Sequence, residues 1–356
     1  MEPEPYLRLP RRRARRRPFR RPPRWLLPLG LMLVLVLAGL AAGFQLRSRL
    51  VRLHAVPAGS GWEYLGFRDR AILLVKAHRR DPVLFCVVED GLARSSDGGW
   101  SWDEVPWPPG FARPSALAVG TQDPELLLLG TESGLVYRSE DGGRTWAEVL
   151  AGGGGRVELA AFDVQRSREA LLVTAGRDGG LWRSADYGRT WSRVAAGPLV
   201  TAGFHPREGQ VLYAAAPARV SRSNDGGKSW AHRDLAGVRF LVAGSADAPA
   251  LRLGIADRLL SLATWDGPAD TSALPGEPTA LIAHPTDCNL LYLGTAVGVW
   301  RSADGGASWI LYSEGLGRRA ITGLCLGPEG RTLYVGTAGA GLWRYSPAGP
   351  GEGMLP

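Results

Sequence analysis

Seven tryptophans, Trp62, Trp102, Trp146, Trp191, Trp230, Trp265 and Trp309, recur at intervals of 35 to 45 residues, and this cadence constrains the fold more than any other feature. Five of them close the pattern Ser-x-Asp-x-Gly-x-(Ser/Thr)-Trp, in copies that begin at Ser95, Ser139, Ser184, Ser223 and Ser302. Between the copies lie short apolar runs with period-2 alternation, bounded by Gly, Asp and Pro, which read as strands and turns. A unit of about 40 residues with four such strands is the pattern of a β-propeller blade.

The second strands end near Val88, Gly130, Gly176, Ala215, Ile255, Gly294 and Gly336, again seven, but out of phase with the tryptophans. Trp62 has no second strand before it and Gly336 no repeat tryptophan after it. The expected solution is an all-β, seven-bladed propeller of four-stranded blades, with residues 61–67 supplying the outer strand of the blade that begins near Ile321. Between Ser223 and Ser302 the copies stand 79 apart. The intervening Arg258–Trp265 segment keeps strand character without the turn and counts as blade five; a six-bladed ring is the alternative if it is an insertion.

The turn residues Asp97, Asp141, Asp186, Asp225 and Asp304 are read as structural. A tight hairpin needs left-handed positions, which Gly supplies, and an acceptor for its amides, which Ser and Asp supply. Each copy offers one carboxylate, too few for a calcium loop, so no metal and no cofactor is expected. His78, His205 and His284 occupy one turn in three repeats, which repeat inheritance explains. The odd set of Cys86, Cys288 and Cys325 has no C-x-x-C pair, and Cys86 and Cys325 read as core.

These five copies resemble the Asp-box, or BNR, repeat of sialidases, xyloglucanases, the sortilin receptors and the photosystem II stability and assembly factor family. The resemblance covers residues 61–346 and implies the fold. Length, seven units and an export signal are most similar to the assembly-factor branch, whose members are non-catalytic, bind protein clients and do so through an arginine patch. The sialidase motif before the first repeat is missing; its nearest string, Phe111-Ala112-Arg113-Pro114, falls after that repeat.

Residues 25–44 form a twenty-residue stretch without a charge, the length of a membrane span. Ten arginines precede it and only Arg47, Arg49 and Arg52 follow closely, which predicts a cytoplasmic tail (1–24), one helix (25–44), a linker (45–60) and an extracytoplasmic propeller at the plasma membrane. A cleaved signal with a secreted or periplasmic propeller is the rival. Residues 347–356 are expected to be a disordered tail. The basic segments more than account for the formal charge of +8, so the rest of the chain is mildly acidic, which argues against nucleic acid as a partner.

In a propeller the loops from second to third strand and from blade to blade share one face, the usual binding face. Those loops collect Trp107, Arg113, Arg156, Arg177, Arg219, Arg258, Arg318 and Arg319. Guanidinium forks match carboxylates, so the expected partner is an acidic segment of a membrane-protein client. A carbohydrate or cell-wall binding module is the alternative, and a glycoside hydrolase a weaker one, because no facing carboxylate pair stands out. A second set, Arg94, Arg138, Arg183, Arg222, Arg301 and Arg344, repeats at one position of the third strand and is read as joining blades.

Overall fold

The computed structural model describes residues 61–108, 113–151, 155–163, 166–176, 178–243 and 251–346. The N-terminal tail, the apolar stretch 25–44, the linker and the tail 347–356 lie outside the described residues. Among those described, no helix is long and apolar enough to cross a membrane.

Twenty-eight strands pair into seven antiparallel four-stranded sheets. Six blades are continuous in sequence, at 72–105, 114–150, 157–196, 201–234, 238–273 and 278–311. The seventh takes three strands from 321–345 and its outer strand, Trp62–Gly66, from the start of the described chain, with Trp62 opposite Tyr345 and Tyr64 opposite Trp343. Successive innermost strands touch in chain order, and that of blade seven touches that of blade one. The segment around Trp265 is a complete blade, so the ring has seven members.

The core is not one mass but seven wedges, each a cluster of Leu, Val and Ala side chains between two neighbouring sheets. Second strands such as Leu127–Thr131 and Leu291–Thr295 are buried along their whole length because both of their faces meet a neighbour. Cys86 and Cys325 are buried in one such wedge, between blades seven and one.

Each Ser-x-Asp-x-Gly turn is a closed hydrogen-bond net. The Ser hydroxyl donates to the Asp carboxylate at 2.7–2.8 Å and accepts the amide of the second turn glycine at 2.7–2.8 Å. The carboxylate also accepts the amide and the hydroxyl of the Ser or Thr before the tryptophan. For Asp141 and Asp186, desolvation pushes the carboxyl upward, but the bonds from Thr145 or Thr190 and from Ser139 or Ser184 outweigh it and hold both at about 2. The Ser308 hydroxyl and amide hold Asp304 at about 2 as well.

The first glycine of the turn has a positive φ in four copies, between 70° and 77°, and in the third copy Tyr187 takes the same conformation at 64°. A left-handed tyrosine costs about 1 kcal/mol relative to glycine. Its ring packs on the wedge between blades two and three, and Arg168 Nε donates to its hydroxyl at 3.2 Å.

The repeat tryptophans are not equally buried. Trp62 is buried, whereas Trp102, Trp146, Trp191, Trp230, Trp265 and Trp309 are half-buried. They sit at the outer rim and reach to the preceding blade. The indole N–H donates to Leu65 O from Trp102 at 3.2 Å, to Pro106 O from Trp146 at 3.0 Å and to Val194 O from Trp230 at 3.1 Å.

Two outcomes follow from these nets. Trp62→Ala removes the ring wedged edge-on against Tyr345 at 5.3 Å and lowers stability by about 3 kcal/mol, read from the urea midpoint. Because Asp141, Asp186 and Asp304 sit at about 2 against an ordinary 3.8, their contribution is full above pH 4 and is lost as pH falls toward 2. The melting temperature drops across that window, and Asp141→Asn flattens the drop.

Candidate functional site

The third-strand arginines belong to the scaffold, at the side of the ring where the Ser-Asp turns lie. Arg138 Nε donates to Tyr187 O at 2.6 Å and Arg183 Nη1 to Gly226 O at 2.8 Å, each in the turn of the next blade. Arg344 closes the ring in the same way. It donates to Gly98 O at 3.2 Å, lies 4.1 Å over the Trp100 ring and pairs with Glu63 of the outer strand. Arg94 pairs with Glu125 of the next blade. Arg301 instead covers the Tyr312 ring at 5.7 Å.

Blade five lacks this arginine, since Ser261 occupies its third-strand position. Directly across the sheet from Ser261 stands Arg252 on the second strand, 1% exposed. A Cβ on Gly305, in the turn of blade six, would lie 3.1 Å from Arg252 Nη2. The guanidinium thus goes to the usual place from the neighbouring strand. Nothing in the linear pattern marks Arg252; only the register Arg252 opposite Ser261 reveals the exchange.

On the other side of the ring, Arg113 and Arg156 hold equivalent places just before the first strands of blades two and three. The Arg113 carbonyl accepts the Glu132 amide at 2.9 Å and the Arg156 carbonyl the Ala175 amide at 2.8 Å, the same contact in each blade. Both side chains are exposed. Among the described residues Arg113 has no ion pair, and Arg156 only a loose one to Glu158 at 3.7 Å. Arg219 opens the third strand of blade four, exposed and without an ion pair among the described residues. Exposed guanidinium groups therefore follow one another through blades two, three and four, with Glu158 loosely paired to Arg156 and Asp234 opposite Arg219 in the sheet register.

The remaining sequence-derived residues are distributed differently. Arg258 stands at the position of Arg219 in blade five, 3.8 Å from Asp257. Arg318 is exposed in the loop between blades six and seven. Arg319 is turned into its own loop, where Nε donates to Leu316 O at 2.7 Å and the guanidinium covers the Trp343 ring at 5.3 Å. Trp107 packs half-buried against the wedge between blades one and two. Arg177 lies outside the described residues. Two further arginines share this face but are neutralised, Arg70 by Asp90 at 2.7 Å and Arg239 by Glu277.

Two cavities adjoin these features. One, of about 510 Å³, opens on the arginine side between blades three and four, beside Arg219. The other, of about 440 Å³, lies on the side of the Ser-Asp turns between blades two and three. In the second, Glu140 is bonded by Arg138 at 2.6 Å and Arg189 at 2.5 Å, and the Arg138 bond leads in holding its carboxyl below the usual range. That is the reverse of what a general acid requires. No group of three or more His, Cys, Asp or Glu among the described residues is placed to hold a metal ion.

No protein-family model and no curated protein sequence matches the chain. Solved structures do. A structure described as YCF48 bound to D1 peptide superposes with a TM-score of 0.62 at 17% identity, covering 81% of this chain and 97% of that one. YCF48 from Cyanidioschyzon merolae gives 0.63 at 15%, covering 80% and 99%. The GH74 xyloglucanase from Xanthomonas campestris gives 0.61 at 19%, with 80% of this chain and 53% of that chain covered. The chain has the fold of the YCF48 and GH74 propellers. It spans nearly the whole of YCF48 and about half of the xyloglucanase, and at these identities the likeness is one of fold.

The two classes of arginine separate under mutation. Arg344→Ala lowers stability by about 3 kcal/mol by leaving Glu63 and Gly98 O without their partner. Arg113→Glu with Arg156→Glu stays within about 0.5 kcal/mol of the wild type. Paired denaturation curves of the two variants check both values.

Proposed function

We propose that the chain is a membrane-anchored, non-catalytic propeller that binds an extended, acidic segment of a protein client, as an assembly or stability factor for a membrane complex. The observation that carries this reading is the run of exposed guanidinium groups, Arg113, Arg156 and Arg219, through three consecutive blades. Three forks on a rigid rim match the carboxylates of a peptide laid across them. On the turn side of the same ring, Arg138, Arg183 and Arg344 are spent on holding blades together.

The likeness to YCF48 supports the reading, because that propeller is described with a peptide bound and the two chains are of matching extent. The likeness to GH74 enzymes favours carbohydrate instead. The cavities lend a hydrolase little support: carboxylates are absent from the lining of the larger, and in the smaller, lined also by Asp123, Arg138 holds the Glu140 carboxyl below the usual range, unlike a general acid. In this reading residues 25–44 span the membrane, with the arginine-rich tail against anionic headgroups and the propeller on the far side.

The test uses the detergent-solubilised full chain as bait. Arg113→Glu, Arg156→Glu and Arg177→Glu together reduce recovery of membrane-protein partners at least about tenfold, and wild-type recovery declines as salt rises. Recovery that ignores both the charge reversal and the salt overturns the proposal. Retention on a glycan array with no protein partner replaces it with the carbohydrate reading.

A further inference from the structure

The cavity between blades three and four exists because one side chain of the repeat is missing there. In every blade the third residue of the second strand pairs with a fixed position on the third strand, and the pair faces the preceding blade. The pairs are Leu129 with Tyr137, Leu172 with Trp182, Leu293 with Trp300 and Val335 with Trp343, so four blades fill this part of the wedge with an aromatic ring. Blade five places Leu253 against Leu260. In blade one the pair is Cys86 with Ala93, and Phe67 from the preceding loop packs into the same wedge, edge-on to Trp102 at 5.0 Å.

Blade four has Ala214 opposite Ser221, with no aromatic at either position. Ala216 ends its second strand where four other blades carry Thr131, Thr174, Thr295 and Thr337. The preceding blade answers with small residues too, Ala195, Ala196 and Gly197. The result is a groove of about 510 Å³ with walls of Ala, Pro198, Leu199 and Trp230. Its polar feature is the Ser221 hydroxyl, 2.8 Å from His232 Nδ1. Its mouth lies among the loops of the arginine side, and Arg219 stands at the rim without an ion pair among the described residues.

We infer that this groove is a socket for an aromatic side chain of the bound polypeptide, whose neighbouring carboxylate is taken by Arg219. The inference rests on the peptide-binding reading and deepens it. The shape argument is internal to the molecule, since in four blades an indole or phenol occupies the corresponding space. The charge argument is the cation at the rim, which selects an acidic neighbour. An aromatic anchor in an apolar pocket beside an arginine is also the composition that concentrates binding energy at protein interfaces.

The test takes N-acetyl-L-tryptophan, an indole carrying one carboxylate, as probe against the full chain in detergent, with binding followed by saturation-transfer NMR. Wild type binds it about tenfold more tightly than N-acetyl-L-tryptophan amide, which lacks the carboxylate, and far more tightly than N-acetyl-L-alanine; a factor of ten corresponds to about 1.4 kcal/mol. Arg219→Gln removes the preference for the acid. Ser221→Trp restores the residue of blades three, six and seven, abolishes binding and leaves the melting temperature unchanged or raised. Ala214→Leu, the residue of blades two, three, five and six, is the second filling variant and also abolishes binding.

Undiminished binding in both filling variants, or binding of N-acetyl-L-alanine as strong as that of the tryptophan derivative, overturns the socket. The two readings fail separately, because Arg113→Glu with Arg156→Glu leaves the probe site untouched. Client recovery lost in that double variant while the groove stays empty retires the socket alone. Recovery retained there while the groove binds the probe retires the acidic-segment reading.

Discussion

The ring depends on the turn between the third and fourth strands, because that turn is tied to the preceding blade in two ways. Its carbonyls receive an arginine from the preceding blade, as Gly226 O receives Arg183 and Gly98 O receives Arg344. The tryptophan that closes it donates back to the outer strand of the same preceding blade, as Trp102 does to Leu65 and Trp230 to Val194. A turn so tied cannot move without opening the wedge beneath it. The Ser and Asp side chains inside it therefore act on the junction between blades as much as on their own hairpin.

Ring closure is the strictest case. The last junction joins chain segments far apart in sequence, so its loop-closure entropy is the largest in the fold. Several groups converge there: the Arg344 guanidinium meets Glu63, Gly98 O and the Trp100 ring, and Trp62 meets Tyr345 and Tyr312. Blade five shows the converse. With the turn motif lost around Trp265, an arginine still stands beside the blade-six turn, but it is Arg252 on the adjacent strand and its guanidinium nitrogens make no hydrogen bond. Directly opposed residues of paired strands stand about 5 Å apart, within the reach of an arginine stem, so either position serves. What persists through the decay of the repeat is the guanidinium at the junction, not the residue number that bears it.

Much of this was legible in the chain. The spacing of Trp62 through Trp309 set the blade count, and the phase difference between Trp62 and Gly336 located the closure. The arginines at Arg138 and Arg344 showed their structural character by repeating at one strand position. Other features were hidden for specific reasons. The half-burial of Trp146 and Trp230 depends on where the outer strand of another blade ends, a tertiary fact. Arg319 reads as a solvent-facing cation until the fold puts Trp343 beneath it. The pairing of Arg70 with Asp90, 20 residues away, is likewise a fact of the tertiary structure. The groove at Ala214 and Ser221 was the least visible, since it consists of side chains that are absent, and absence has meaning only against the six other blades.

That groove bears on where function lies. A wedge filled by Tyr137, Trp182, Trp300 or Trp343 in four blades shows what packing favours at this position. An apolar surface left without a packing partner forgoes the contacts a filled wedge would make. Selection on stability alone would thus restore an aromatic at Ser221 with one substitution, as in the neighbouring repeats. The vacancy lies instead at the end of the arc formed by Arg113, Arg156 and Arg219, on the side of the ring whose arginines are not committed to the blades. A site that binds can be held at a cost in stability. An unfilled wedge thus coincides with a cation at its rim that has no ion pair among the described residues, and this coincidence is what the proposed socket rests on.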